Sequence, residues 1–204
     1  MSSAVASKAE FEKAAFDIVA IATSAGGLKA LSTVLGRLPA DFPALIVVVQ
    51  HLDPHHRSLM AEILNRRTSL EVKQAEENER LCPGKIFIAP PNYHLLVNPD
   101  GTLSLSQSER VHYVRPSADL LFDSVATSYK DRAIAVVLTG TGSDGIMGVQ
   151  AIKAMGGTVI AEDTRTAEFS GMPLAAIRTG SVDFILPLAE VAPALITLVM
   201  TRDA

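Results

Sequence analysis

The chain has 204 residues, enough for one sizeable hydrophobic core and marginal for two. A net charge of −4 with no basic block argues against nucleic acid or an anionic membrane as partner, and 5% aromatic content without Trp argues against a base-stacking surface. The single cysteine, Cys82, excludes an intrachain disulfide and suits a reducing cytosol. No apolar run approaches the ~20 residues of a membrane helix, so a soluble, cytoplasmic protein is expected.

Residues 1–16 are rich in Ala and Ser and carry Lys8, Glu10, Glu12 and Lys13, which is the composition of a flexible leader and not of a signal peptide. Residues 17–204 then read as one domain. An apolar strand, Ile18 to Ala22, ends in Thr23-Ser24-Ala25-Gly26-Gly27, and a helical pattern runs from about Leu28 to Arg37. Small residues around Ser24 allow a sharp turn and the close approach of another molecule. Taken alone, Ser24 is either a nucleophile or part of an anion cradle at the helix N-terminus.

Five consecutive aliphatics, Leu45 to Val49, predict a strand covered on both faces, followed by Gln50 and His51. Ser58 to Arg67 is helix-like. Four short strands are predicted next: Leu70–Ala75, Lys85–Ala89, His94–Val97 and Leu103–Ser106. Asn98-Pro99-Asp100-Gly101 between the last two is a hairpin turn, so an antiparallel hairpin decorates the sheet. Arg115-Pro116-Ser117-Ala118-Asp119 opens a helix.

The α/β rhythm then returns. Ala133–Leu138 is a strand, Thr139–Gly145 a Gly-rich loop and Gly145–Met155 a helix closed by Gly156-Gly157. Strands at Thr158–Ala161 and Val182–Leu186 flank a helix that starts at Pro173, and a final helix begins at Pro193. The fold expected is α/β: a doubly wound, mostly parallel, Rossmann-like sheet with an antiparallel hairpin and helices on both faces.

Ser24, His51 and Asp144 each follow one of the clearest buried strands. Strand C-terminal ends of such a sheet share one edge, so the three residues are expected to converge there. Ser, His and Asp together form the constellation for acyl transfer. His51 takes the Ser24 proton, Asp144 orients the imidazole, and backbone N–H groups at Ala25, Gly26 or the Gly140–Gly142 loop hold the oxyanion.

Competing readings attach to the same residues. His51, His55 and His56 suggest a metal, but no Cys and no H-E-x-x-H pattern supports one, and neither metal nor cofactor is expected. Gly140-Thr141-Gly142-Ser143-Asp144-Gly145 matches G-x-G-x-x-G, with Glu162 or Asp163 at the spacing of a ribose-binding acid. Against a nucleotide, Asp144 puts a negative charge where the pyrophosphate belongs. An α/β-hydrolase is disfavoured by Ala22 in place of the first Gly of G-x-S-x-G and by the order of the triad.

Six segments in order resemble the catalytic domain of the protein-glutamate methylesterase family of bacterial chemotaxis. They are A-I-A-T-S-A-G-G (20–27), V-V-V-Q-H (47–51), P-G-K-I-F-I-A-P-P-N-Y-H (83–94), R-P-S-A-D (115–119), V-V-L-T-G-T-G-S-D-G (136–145) and F-S-G-M-P (169–173). The resemblance implies Ser24 as nucleophile, His51 as general base and Asp144 as the aspartate. It also implies hydrolysis of glutamyl γ-methyl esters on methylated chemoreceptor helices, releasing methanol, with deamidation of receptor glutamines in some members. Two departures stand out. Ala22-Thr23 replaces the family's Gly-Ala, and Thr141 stands where many members have Met beside the oxyanion. T-G-T-G-S-D-G is similar to methylesterase domains fused to methyltransferases in sensory proteins. Only 17 residues precede the first strand, against the ~100 of a receiver domain, so control is expected from a partner chain, such as a response regulator or methyltransferase acting in trans, or from expression level. These departures keep open a non-catalytic scaffold on the same fold.

Overall fold

The computed structural model describes residues 17–51 and 58–200. The leader 1–16 and both His55 and His56 lie outside the described residues. Seven parallel strands form the main sheet: β1 (Ile18–Thr23), β2 (Leu45–Gln50), β3 (Glu71–Gln74), β4 (Lys85–Ile88), β7 (Ala133–Val137), β8 (Thr158–Glu162) and β9 (Phe184–Leu186). Their order is β3-β4-β2-β1-β7-β8-β9. β5 (His94–Val97) and β6 (Leu103–Ser106) pair only with each other, as the expected antiparallel hairpin. Gly101 at φ 79 closes its turn, with the Gly101 N–H on the Asn98 carbonyl at 2.9 Å. The strands at 71–74 and 85–88 belong instead to the parallel sheet.

The helices are α1 (Gly27–Leu35), α2 (Met60–Asn65), α3 (Ala118–Tyr129), α4 (Ile146–Ala154), α5 (Gly171–Arg178) and α6 (Leu188–Met200). Side chains alternate across a strand, and the buried runs of β1, β2 and β7 split accordingly. Val19, Ile21, Ile46, Val48, Ile134 and Val136 face α1, α2 and α6. Ile18, Ala20, Ala22, Val47, Ala135 and Val137 face α3, α4, α5 and the hairpin. The alanines on the second face let α3 lie close to the sheet, with Phe122 fully buried. Ser124 and Ser128 of α3 hydrogen-bond the backbone of Val97, so the hairpin is tied to that helix.

One boundary departs from expectation. The last helix begins at Leu188, and Pro193 sits inside it instead of opening it. A proline there lacks the N–H that would bond the Ala189 carbonyl. Arg37 Nη1 donates to that carbonyl at 2.7 Å and makes good the loss. The compensating group comes from the other end of the chain, which is why local pattern missed it.

β1 is the switch point. The chain winds from it to β2 on one side and only later to β7 on the other, leaving a crevice above the C-terminal ends of β1 and β7. The close approach of α3 and α4 gives a test. A Cβ at Gly148 would lie 2.5 Å from Phe122 Cβ and 3.2 Å from Asp119 Cα. Helix propensity alone favours Ala by about 1 kcal/mol, but overpacking costs roughly 1–3 kcal/mol. Gly148→Ala is therefore expected to lower the urea midpoint, and an unchanged or raised midpoint would contradict this packing.

Candidate active site

Ser24 follows β1 directly. Its N–H bonds the Thr139 carbonyl at 3.0 Å, and its own carbonyl accepts the Gly27 N–H at 2.9 Å. Gly26, at φ 77, turns the chain into α1, a conformation that favours glycine. Across the crevice, a Cβ at Gly140 would lie 2.9 Å from Ser24 Cβ, so the 139–141 loop packs on the serine only because that position is bare. Thr139 secures this loop. Its hydroxyl donates to the Ala25 carbonyl at 3.0 Å and accepts the Phe169 N–H at 2.9 Å. Its N–H bonds Glu162 Oε2 at 2.8 Å. Glu162 is thus a buried strut. Burial pushes its carboxyl above the ordinary value, against the hydrogen bonds from Thr139 and Thr166.

His51 follows β2, its N–H on the Thr23 carbonyl at 3.1 Å. Its Nε2 meets Asp144 Oδ2 at 2.8 Å, with side-chain exposures of 13% for His51 and 3% for Asp144. The Asp144 carboxylate has three further donors. Ser117 Oγ reaches Oδ1 at 2.8 Å, the Ala118 N–H reaches Oδ2 at 2.6 Å, and the Asp119 N–H reaches Oδ1 at 3.2 Å. Asp144 therefore also accepts the free N–H groups at the start of α3, where a negative charge is favoured. Burial alone would raise its carboxyl. The hydrogen bonds from His51, Ala118 and Ser117, with attraction to the His51 ring, outweigh burial and hold it below the usual carboxylate range.

A second carboxylate returns the arrangement. Asp119 of α3 accepts the Gly148 N–H near the start of α4 at 2.8 Å. Each helix is capped by an aspartate from the other's N-terminal region. Burial raises the Asp119 carboxyl; the Gly148 bond opposes this and the neighbouring Asp144 adds to it. His112 Nε2 approaches its Oδ2 at 3.3 Å.

This geometry disposes of the phosphate-cradle reading. A dinucleotide site needs free N–H groups at the α4 N-terminus, but Asp119 occupies that end and the loop carboxylate faces α3. Glu162 and Asp163 are likewise engaged. Asp163 binds the Arg165 guanidinium, with Nε on Oδ2 at 3.0 Å. Among the described residues no cluster of three or more His, Cys, Asp or Glu could hold a metal.

Of the expected oxyanion donors, Ala25 and Gly26 lie at the start of α1, and their N–H groups have no acceptor among the described residues. Thr141 is exposed on the loop beside Gly171. An open cleft of about 470 Å³ borders Ser24, lined also by Gly26, Gln50, Met60, Arg67 and Glu168. Among the described residues Ser24 Oγ makes no hydrogen bond to His51, a separation common before substrate binds. Sequence reading singled out neither Ser117 nor Asp119 for the site, although both lie in the R-P-S-A-D segment.

The family model described as CheB methylesterase matches residues 19–195. The chain belongs to the CheB methylesterase family. A Leptospira interrogans protein, provisionally named protein-glutamate methylesterase/protein-glutamine glutaminase, is 42% identical over 183 residues, covering 90% of this chain and 95% of that one. A Thermotoga maritima protein named for the same two activities is 42% identical over 185 residues, covering 89% of this chain. The chain spans 54% of that second relative's length. The crystal structure of the Thermotoga maritima CheB methylesterase catalytic domain matches with a TM-score of 0.86 at 41% identity, over 90% of this chain and 98% of that one. The expected sheet and hairpin are thus the architecture of the family, and among the described residues no helix is long and apolar enough to cross a membrane.

The Asp144 network predicts a pH dependence. A carboxyl held below its unfolded value of about 3.9 adds stability in full above that value. That stability is lost as pH falls through the lower folded value. Asp144→Asn is expected to cost about 1–3 kcal/mol near pH 7, measured by urea unfolding. The gap between wild type and variant should narrow below about pH 4. A gap that stays constant down to pH ~3 would contradict an ionised Asp144 in this network.

Proposed function

We propose that this chain is a serine esterase that hydrolyses glutamyl γ-methyl esters on the cytoplasmic helices of chemoreceptors or related sensory proteins. The observation that carries the reading is the 2.8 Å contact from His51 Nε2 to Asp144 Oδ2, at the same crevice as Ser24. With Nε2–H donating to Asp144, Nδ1 is the nitrogen left to take the Ser24 proton. Ser24 Oγ then adds to the ester carbonyl while the N–H groups of Ala25, Gly26 and Thr141 are the donors left for the developing oxyanion, those of Thr139 and Gly140 being taken by Glu162 and the Phe169 carbonyl. Collapse breaks the C–O bond, and His51 returns the proton to methoxide, which leaves as methanol. Water activated by His51 next cleaves the acyl-serine and frees the glutamate carboxylate. The same steps with ammonia as leaving group deamidate glutamine, matching the second activity in the relatives' names. Partners are the methylated receptor helix and, for control, a response regulator or methyltransferase in trans. Residues 17–204 form the catalytic domain in this reading, with 1–16 as leader.

Methanol release from a helical peptide bearing a glutamyl γ-methyl ester tests it. Ser24→Ala and His51→Ala should each lower kcat by about 10³-fold or more. Turnover at the wild-type rate by Ser24→Ala would refute the serine mechanism.

A further inference from the structure

Gln50 is the last residue of β2 and is 4% exposed. Strand alternation turns it toward α1, while the next residue, His51, meets Asp144 and the start of α3. Its amide Nε2 donates to the Ser24 carbonyl at 2.8 Å and to the His51 carbonyl at 2.9 Å. Both neighbours are carbonyl acceptors, so the orientation of the amide is fixed: the nitrogen faces them and Oε1 faces Gly27. Oε1 is buried without a hydrogen-bond partner among the described residues. A Cβ at Gly27 would stand 1.8 Å from it, so only glycine leaves room for the amide.

The placement has a mechanical consequence. The β1–β2 pairing ends at Thr23 and Gln50, and the final ladder bond is the His51 N–H on the Thr23 carbonyl. Beyond that rung the chain after β1 leaves the sheet into the Ser24 turn. Among the described residues no further backbone pairing between the two strands follows that rung. The Gln50 side chain supplies the missing rung with both its hydrogens.

We propose that Gln50 is a positioning residue that fixes the spacing of Ser24 and His51, so that the serine hydroxyl and the imidazole meet when substrate enters. The inference rests on Ser24 as nucleophile and His51 as base. Both amide hydrogens are spent on the two carbonyls, while the buried Oε1 has no partner among the described residues. Gln50 spends none of its hydrogens on the reacting atoms, so its removal acts on the alignment of the pair.

The test compares wild type with Gln50→Met, which keeps the volume and removes both donors, and Gln50→Glu, which keeps the shape and Oε1 and puts an acceptor oxygen in place of the donor nitrogen. Three quantities are read: kcat and KM on the glutamyl methyl ester peptide, the rate at which a fluorophosphonate labels Ser24, and the folded fraction by circular dichroism. Both variants should lose about 10- to 100-fold in kcat, with KM within about twofold and labelling slowed in step. A folded Gln50→Met or Gln50→Glu with kcat within about threefold of wild type would overturn the proposal. So would a loss fully matched by the unfolded fraction. Should Gln50→Met not fold, Gln50→Glu is read by the same criteria. Ser24→Ala in the same assay separates the two claims: activity retained there refutes the serine mechanism itself, whatever Gln50 does.

Discussion

Asp144 places one negative charge where two parts of the chain each need it. The start of α3 presents free N–H groups with a partial positive charge, and the His51 ring needs a partner to fix its tautomer and orientation. A single buried carboxylate meets both needs through four donors. It stays ionised because those donors outweigh the penalty of burial. The site is therefore not added to a finished scaffold. The group that orients His51 also caps a helix of the second core, and Asp119 completes the link by capping α4 in return.

The sheet explains why this carboxylate can reach the histidine. β2 and β7 flank β1 on opposite sides, so the loops after all three strands open onto one crevice. Small residues set the distances. Alanines on the inner face of β1 and β7 let α3 approach, and bare positions at Gly140 and Gly148 let the aspartate loop sit between Ser24 and Phe122. Thr139 and Glu162 then hold that loop to the Ser24 turn from beneath. Glu162, which stands at the spacing of a ribose-binding acid, is a fastener of the site.

Much of this was legible in the sequence. Buried parallel strands announce themselves as aliphatic runs, and a polar residue directly after such a run falls on the sheet edge. Ser24, His51 and Asp144 were placed on that edge this way, and the structure brings His51 and Asp144 into contact. The pairing of these two, 93 positions apart, came from both residues lying after buried strands. What local pattern could not give was the other partners of Asp144, such as Ser117, 27 positions away. The G-x-G-x-x-G match failed for the same reason, since its meaning depends on which helix the loop carboxylate faces. Pro193 reads as a helix start until Arg37 is seen on the Ala189 carbonyl. Gln50 stood inside a quoted motif with no role, because its function lies in two main-chain carbonyls that no side-chain pattern records.

The central claim is that Asp144, held ionised at the start of α3, makes His51 the base that activates Ser24. Mass-spectrometric mapping of a fluorophosphonate adduct, timed in wild type and in Asp144→Asn, tests it most directly. The account predicts a single adduct on Ser24 that forms on the order of 10³–10⁴-fold more slowly in the variant. An adduct elsewhere, or equal rates in the two folded proteins, would contradict it.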